Sequence, residues 1–225
     1  MKLLVLTGLS AALTFASCGD NANKETTTET SASSNMDTSA AMETPVSTET
    51  AASMPDSATM MKNWQAYMTP GDMHKMMESW SGKWTGDVIM WHAPGAPGDT
   101  MKGTAVNKMS LGGRYMISTH TGTMMGMPFE GHSTLAYDNA KKIFVNTWID
   151  NAGTGIMYME GPYDAASKTI TLTGKCVDPA AGTGKEMNVK QVLKEIDPTH
   201  HVMEMYGPGP DGKEFKMMEV HSHKS

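Results

Sequence analysis

The strongest constraint on the fold is an alternation of polar and apolar residues that repeats every two positions through most of the chain after residue 80. Ten short runs carry it: KWTGDVIMW, GTAVNKMSL, RYMISTHTGT, FEGHSTLAYD, KKIFVNTWID, GIMYMEGPYD, KTITLTGKCVD, EMNVKQVLKEID, HVMEMYG and EFKMMEVHSH. Successive side chains of a β-strand point to opposite faces, so this pattern is typical of strands with two different environments. The sequence therefore predicts about ten short strands in succession.

Four of the connections between these runs are short and place aspartate at the start of a tight turn: YDNAKKIF, YDAASKTI, IDPTHHVM and PDGKEF. An aspartate at the start of a tight turn accepts hydrogen bonds from nearby backbone amides, and Asp211-Gly212 is the strongest hairpin signal among them. Consecutive hairpins leave two exposed sheet edges unless the sheet closes on itself. We predict an all-β fold, an up-and-down antiparallel β-barrel of about ten strands. A two-sheet sandwich is the alternative.

One short helix is predicted before the strands. Thr69 can cap it, and Pro70 suits the first helical position. Apolar residues at helical spacing follow: Met73, Met76, Met77 and Trp80.

The N-terminal residues MKLLVLTGLSAALTFASCGD have the layout of a secretory signal. Lys2 gives a positive end, and the apolar run of residues 3–15 is too short to span a bilayer as a stable helix. Ala16 and Ser17 directly before Cys18 resemble a bacterial lipoprotein signal. We therefore predict a signal peptide at 1–17 and a lipidated Cys18, which anchors the protein to a membrane of the bacterial cell envelope. An ordinary signal peptide cut near Ala16 is the alternative.

Residues 18–62 differ in composition from the rest of the chain. They consist mainly of Thr, Ser, Ala, Asn and Glu, and the seven acidic residues after Cys18 outnumber two lysines, which accounts for most of the net charge of −6. Such a segment cannot bury enough apolar surface to offset its chain entropy, so we predict a disordered acidic tether. Residues 63–225 then form a single domain. No basic patch stands out there, so nucleic acid is not an expected partner.

Four blocks of sequence resemble the DUF1579 family, a group of bacterial proteins of unassigned function: SGKWTGDVIMWHAPGAP, LGGRYM, GMPFEGHSTLAYDNAKKIFVNTWIDNAGTG and GPDGKEFKMMEV. The resemblance runs from about Met73 to Val220. It implies a calycin-like barrel of the lipocalin or nitrobindin type. Gly82-Lys83-Trp84 is similar to the Gly-x-Trp that opens the first strand of calycins, where the Trp closes one barrel end. The family brings no catalytic residues.

The chain contains 24 methionines, whose thioethers are possible ligands of copper(I) if three or four converge. Residues two apart on a strand share a face, so two pairs are candidates: Met157 with Met159, and Met203 with Met205. The adjacent residues Met217 and Met218 are expected on opposite faces. Because the methionines are spread over nearly every predicted strand, adaptable apolar filling of the barrel explains them better.

His221 and His223 share a face of the last predicted strand. Two imidazoles hold a metal weakly, since a closed zinc site needs four ligands. The resemblance to nitrobindin-like barrels implies that haem ligation through a histidine is worth testing, and His221 is the candidate. We predict no resident cofactor and keep metal or haem binding as an alternative function.

A ligand-binding barrel fits the sequence more easily than an enzyme. Glu130 and His132 share a strand face, but no ordered set of nucleophile and base and no nucleotide-binding glycine loop accompanies them. Barrel cavities are mostly apolar with a few polar groups. The candidate cavity residues are Trp84, Arg114, Glu130, Trp148, Tyr158 and Glu219. The sequence thus indicates a lipid-anchored envelope protein that binds a small apolar or amphipathic ligand. A barrel filled with side chains, which would serve as an interaction scaffold, is the remaining alternative.

Overall fold

The computed structural model describes residues 54–182 and 184–225. Two helices precede eleven strands in the described part of the chain. The helices are α1 (Ser57–Met68) and α2 (Asp72–Ser79). The strands are β1 (Gly82–Met90), β2 (Asp99–Ser110), β3 (Tyr115–Met124), β4 (Met127–Asp138), β5 (Ile143–Asp150), β6 (Met157–Gly161), β7 (Tyr163–Asp164), β8 (Thr169–Val177), β9 (Glu186–Asp197), β10 (His200–Pro208) and β11 (Glu214–Lys224). Neither helix in the described ranges is long and apolar enough to cross a membrane.

All eleven strands belong to one antiparallel sheet that closes on itself. The order is β6-β5-β4-β3-β2-β1-β11-β10-β9-β8-β7, and a further pairing between β6 and β8 completes the ring. The two-residue strand β7 is additional to the ten-stranded barrel and pairs with the start of β8. The predicted barrel is confirmed, and the alternative of a two-sheet sandwich is wrong.

The aspartate turns are formed as the sequence predicts. The Asp138 carboxylate accepts hydrogen bonds from the backbone N–H groups of Ala140 and Lys141, at 2.7 and 2.9 Å. Equivalent bonds run to Asp164, Asp197 and Asp211 from the backbone two residues further on. These bonds satisfy amides that the sheet leaves free, so each turn stabilises the register of its hairpin.

Helix α2 closes one end of the barrel, which we call the floor. Met77 on α2 is fully buried, with Trp80 and Trp84 packed beside it. The Trp84 indole donates to the Trp80 carbonyl oxygen at 2.8 Å, and the Trp80 indole donates to Glu195 on β9 at 3.0 Å. The Lys224 ammonium group donates to the carbonyl oxygen of the last residue of α2 and lies 5.8 Å from the ring centre of Trp84. The floor therefore connects the first and last strands to the helix.

The N-terminus of α2 differs from the prediction. Gly71 is the N-cap, so the helix begins two residues beyond Pro70. The Nδ1 atom of buried His74 accepts a hydrogen bond from the Gly71 N–H at 3.1 Å. A histidine side chain thus provides the cap that the sequence analysis assigned to Thr69.

Helix α1 was not predicted. It begins inside the segment for which the sequence predicts a tether, with Asp56 as its N-cap, and it buries none of its own residues. The amide of Asn139 donates to three carbonyl oxygens at the end of α1, and Arg114 Nη2 donates to the Met68 carbonyl oxygen at 2.8 Å. Two turns of the barrel therefore hold the helix through its backbone, which hydrophobic periodicity cannot reveal. Residues 1–53, with the predicted signal peptide and Cys18, lie outside the described ranges.

One side of the barrel interior is filled by side chains. Five side chains from β5, β6, β8 and β9 are almost completely buried: Phe144, Met159, Ile170, Leu172 and Val189. Gly161 is the last residue of β6 and lies beside the backbone of β8. A Cβ atom at Gly161 would lie 1.9 Å from the carbonyl oxygen of Thr171. Glycine is therefore required at the seam, the place where β6 pairs with β8 and closes the barrel.

Replacing Gly161 with alanine should destabilise the barrel by about 1–3 kcal/mol, because the new methyl group must push two backbones apart. Urea unfolding followed by tryptophan fluorescence measures the change. Gly155→Ala is the matched control, since a Cβ there meets no atom within 4 Å. Equal unfolding midpoints for the two variants would contradict the packing described for the seam.

Candidate ligand-binding cavity

The other side of the interior is hollow. A cavity of about 400 Å³ is lined mainly by the inner faces of β1–β4, β10 and β11. Residues of β5 and β9 complete its wall. Most of its wall is apolar: Val88, Met90, Met101, Ala105, Met116, Met124, Phe129, Leu135, Trp148, Met157, Leu193, Met203, Met205, Met218 and Val220. The barrel thus combines a packed half with an open half.

Strand register explains which residues face the cavity. Residues directly opposite each other in an antiparallel pair point to the same face. Trp84 is opposite Ala105, which is opposite His120, and His120 is opposite Gly131. Gly131 is in turn opposite Asp150. Because Trp84 faces the interior, every residue in this line does so too, and the inner set of each strand follows by alternation.

A few polar side chains interrupt the apolar wall. Ser118, Asn146 and Gln191 are buried, and Ser133 also lines the cavity. The Asn146 amide donates to Gln191 Oε1 at 3.3 Å. This bond joins β5 to β9 across the interior, next to the packed half. The remaining donors and acceptors of both amides are available to orient a polar group of a ligand.

The end of the cavity opposite the floor, which we call the mouth, carries an aromatic group. The rings of Trp148 and His120 have their centres 5.0 Å apart, and Phe129 is stacked 6.4 Å from Trp148. The Trp148 indole donates to Asp150 at 2.6 Å. A Cβ atom at Gly131 would lie 2.4 Å from the Trp148 ring, so glycine allows the indole to lie against β4.

Burial and, to a smaller extent, the charge of His132 lower the pKa of His120 to about 4. Burial likewise lowers the pKa of His201 to about 4. His201 lies between Trp80 and Trp84 at the floor, with ring centres 5.2 and 4.4 Å away. Its Nε2 atom is buried and has no hydrogen-bond partner among the described residues. Both imidazoles are therefore neutral at pH 7.

The structure places two of the six candidate cavity residues in the cavity and four outside it. Trp84 and Trp148 face the interior and line the cavity. Arg114 lies in the β2–β3 turn, where it binds the end of α1. Glu130, Tyr158 and Glu219 lie on the outer face, since they belong to the opposite alternating set of their strands.

The three outer carboxyl and phenol groups have partners of their own. His132 Nε2 lies 2.9 Å from Glu130 Oε1, and Tyr158 donates to Glu160 at 2.6 Å. Glu219 accepts hydrogen bonds from Lys216 and His221, and the bond from Lys216 is the main cause of its lowered pKa. Glu130, Tyr158 and Glu219 are therefore surface groups with local partners, and Arg114 stabilises the position of α1.

The candidate metal ligands are also divided between the two faces. His221 and His223 lie outside the barrel, where the His223 ring stacks on His200 at 4.3 Å. The hypothesis that His221 holds haem inside the barrel does not fit this geometry. Met157, Met159, Met203 and Met205 all face inwards, but β8 and β9 separate the first pair from the second. No group of three or more His, Cys, Asp or Glu side chains in the described ranges is arranged to hold a metal ion.

The polar residues of the cavity, including His120, Ser133, Asn146 and Gln191, are not among the residues predicted from the sequence. The sequence does contain a signal from which these residues could be identified. The tryptophan of Gly82-Lys83-Trp84 marks the inner face of β1, and correct hairpin registers would carry that assignment from strand to strand. The registers themselves depend on turn lengths and bulges that the alternation does not specify.

Protonation of the buried imidazoles should lower stability in acid. Their pKa values are about 4 in the folded protein and 6.5 ordinarily, so the unfolded chain binds more protons between these values. The free energy of unfolding should therefore fall as the pH is lowered from 6.5 to 4. His201→Phe, which keeps an aromatic ring between Trp80 and Trp84, should reduce that fall by on the order of 2 kcal/mol.

Urea unfolding at several pH values measures this difference. His92→Phe is the control, because the His92 side chain is exposed. An identical pH dependence in His201→Phe and in the unmodified protein would show that His201 is not held neutral at the floor.

A family model described as "Protein of unknown function (DUF1579)" matches residues 69–224. A search of curated proteins found no match for the chain. Among solved structures, Rv2717c from M. tuberculosis is similar with a TM-score of 0.53 and 13% identity over 70% of this chain and 99% of that one. A redesigned β-barrel matches with a TM-score of 0.36 and 14% identity, over 69% of this chain and 99% of the design. At such identity the first likeness concerns the fold alone, and the second carries no argument.

Proposed function

The chain belongs to the DUF1579 family, and we propose that its barrel binds one small, largely apolar ligand in the cavity. The observation that carries the proposal is the hollow half of the interior. Its volume of about 400 Å³ is within the range of roughly 300–1,000 Å³ that is usual for small-molecule sites. A barrel that served only as a scaffold would gain stability by filling this space with side chains.

The chemistry of the wall defines the class of ligand. Methionines line much of the cavity, and their flexible thioether side chains adapt to ligands of different shape. Ser118, Ser133 and the Asn146–Gln191 pair offer hydrogen bonds to one polar group. The wall therefore suits an apolar body with a small polar end.

The charges of the inner face favour an uncharged ligand over an anion. Above the floor, the inward-facing positions of the described strands hold no ammonium or guanidinium group. Asp150 at the mouth is a carboxylate, and His120 beside it is neutral at pH 7 because burial lowers its pKa to about 4. Three lysines border the cavity, but Lys102 pairs with Asp87, Lys168 pairs with Glu195, and Lys194 belongs to the outward-facing set of β9. A fatty-acid carboxylate among the apolar wall residues would therefore be buried without a cation of the inner face, which is costly.

Filling part of the cavity should weaken ligand binding without unfolding the barrel. Ser133→Phe adds a ring on the cavity side of β4, whereas Thr134→Phe adds the same ring on the outer face one residue away. We expect the neutral fluorescent probe N-phenyl-1-naphthylamine to bind the unmodified protein saturably at one site, with affinity at least tenfold weaker in Ser133→Phe. Fluorescence titration checks this.

The outward-facing variant is the matched control. Thr134→Phe should bind the probe like the unmodified protein. Equal loss in both variants, or no saturable binding to the unmodified protein, would contradict a ligand site in the cavity.

We also propose that the protein is anchored in the bacterial cell envelope through lipid on Cys18. The support is the sequence before Cys18, which resembles a lipoprotein signal. Each buried methylene of an acyl chain contributes about 0.8 kcal/mol, so a multiply acylated cysteine binds a membrane firmly. The acidic segment that follows would then separate the barrel from the bilayer surface.

Cys18→Ala should move the protein from the membrane fraction to the soluble fraction and remove the acyl mass from its N-terminal peptide. Fractionation and mass spectrometry of that peptide measure the two effects. Cys176→Ala is the control, because Cys176 lies in β8 and is half-buried. If Cys18→Ala stays with the membrane, the anchor lies elsewhere in the chain.

A further inference from the structure

A β-bulge in β11 turns two adjacent methionines towards the interior. Met218 is opposite Met205 on β10, but the next paired residues are Lys216 and Tyr206, so Met217 is the extra residue of the bulge. Met218 lines the cavity. A Cβ atom at buried Gly207 would lie 2.6 and 2.8 Å from the Cε and Sδ atoms of Met217, which also packs against the core. The expectation that Met217 and Met218 face opposite sides is therefore wrong, because the bulge interrupts the alternation.

Three inward-facing methionines lie in one line across adjacent strands at the mouth. Met90 on β1 is opposite Met218 on β11, and Met218 is opposite Met205 on β10. Directly opposite residues have Cβ atoms about 5 Å apart. All three side chains border the cavity and are half-buried, so their thioether groups can approach one point above Met218.

We propose that Met90, Met205 and Met218 bind one soft monovalent cation, copper(I), at the mouth of the barrel. Thioethers are soft, neutral ligands that select copper(I) over the harder divalent ions. The surrounding wall is apolar, which favours a cation of low charge with uncharged ligands. This site does not depend on the binding of an apolar ligand deeper in the cavity.

Packing and metal binding make different predictions for methionine-to-leucine exchange. Leucine has nearly the same volume and apolarity as methionine, so the exchange preserves packing at a cost below about 1.5 kcal/mol. It removes the sulfur ligand completely. Met124 is a matched control, since it also faces the cavity at the mouth but on β3, away from the line of three.

The test is a copper(I) titration of the full chain in competition with the chromogenic chelator bicinchoninate, under anaerobic reducing conditions. All proteins carry Cys176→Ala, because the thiol of Cys176 is itself a soft ligand, and Cys18→Ala for the same reason. Native mass spectrometry gives the stoichiometry. We expect one copper(I) per chain, with affinity at least tenfold weaker in Met218→Leu and in Met90→Leu and unchanged in Met124→Leu.

Silver(I), which has the same charge and does not change oxidation state, should show the same order of affinities. Binding of N-phenyl-1-naphthylamine to the same proteins reports on the cavity separately. Retained probe binding without any copper(I) binding would overturn the metal site and leave the proposed ligand site intact. Equal weakening by Met124→Leu and Met218→Leu would also overturn it, because the metal would then have no defined ligands.

Discussion

The buried indole of Trp84 ties the first strand to the helix that closes the floor, through a 2.8 Å hydrogen bond to the Trp80 carbonyl oxygen. Trp84 is only 2% exposed, so the direction of its side chain is fixed. In a closed antiparallel sheet, directly opposite residues share a face, so one inward residue determines the inner set of every strand except where a bulge such as that at Met217 interrupts the alternation. The line from Trp84 through His120 to Asp150 is the result. Cavity, mouth and outer surface all follow from this constraint.

Local signals in the sequence were sufficient for the strands, the aspartate turns and the closure of the barrel. They were not sufficient to identify the inner face, and β3 shows the physical reason. Its outer residues Tyr115 and Ile117 are apolar and 37% exposed, whereas its inner residues Ser118 and His120 are polar. A half-hollow barrel tolerates polar groups inside, so apolarity does not distinguish its faces. The assignment of Glu130, Tyr158 and Glu219 to the cavity failed for this reason, whereas Arg114 lies in the β2–β3 turn and binds the end of α1.

Two other features depend on interactions between residues distant in sequence. Helix α1 is held through its backbone by Asn139 and Arg114, so its sequence shows no buried stripe. The bulge at Met217 changes the facing of a single residue, and alternation alone predicts the opposite. Of the six candidate cavity residues, Trp84 and Trp148 line the cavity, and for Trp84 the signal was its place in Gly82-Lys83-Trp84.

The interior consists of a packed half and an open half. Phe144, Met159 and Leu172 pack one half to full burial. The other half remains open at the cost of the packing energy that its side chains would otherwise gain. The buried hydrogen bond between Asn146 and Gln191 lies next to the boundary between the two halves. Both amide side chains also border the cavity.

Native mass spectrometry of the protein, purified without metal affinity and without denaturant, tests most directly whether the open half holds a molecule. The account predicts a reproducible additional mass, from one small organic compound, that is lost on denaturation. A bare polypeptide mass that stays unchanged after incubation with an extract of bacterial lipids and small apolar compounds would contradict it.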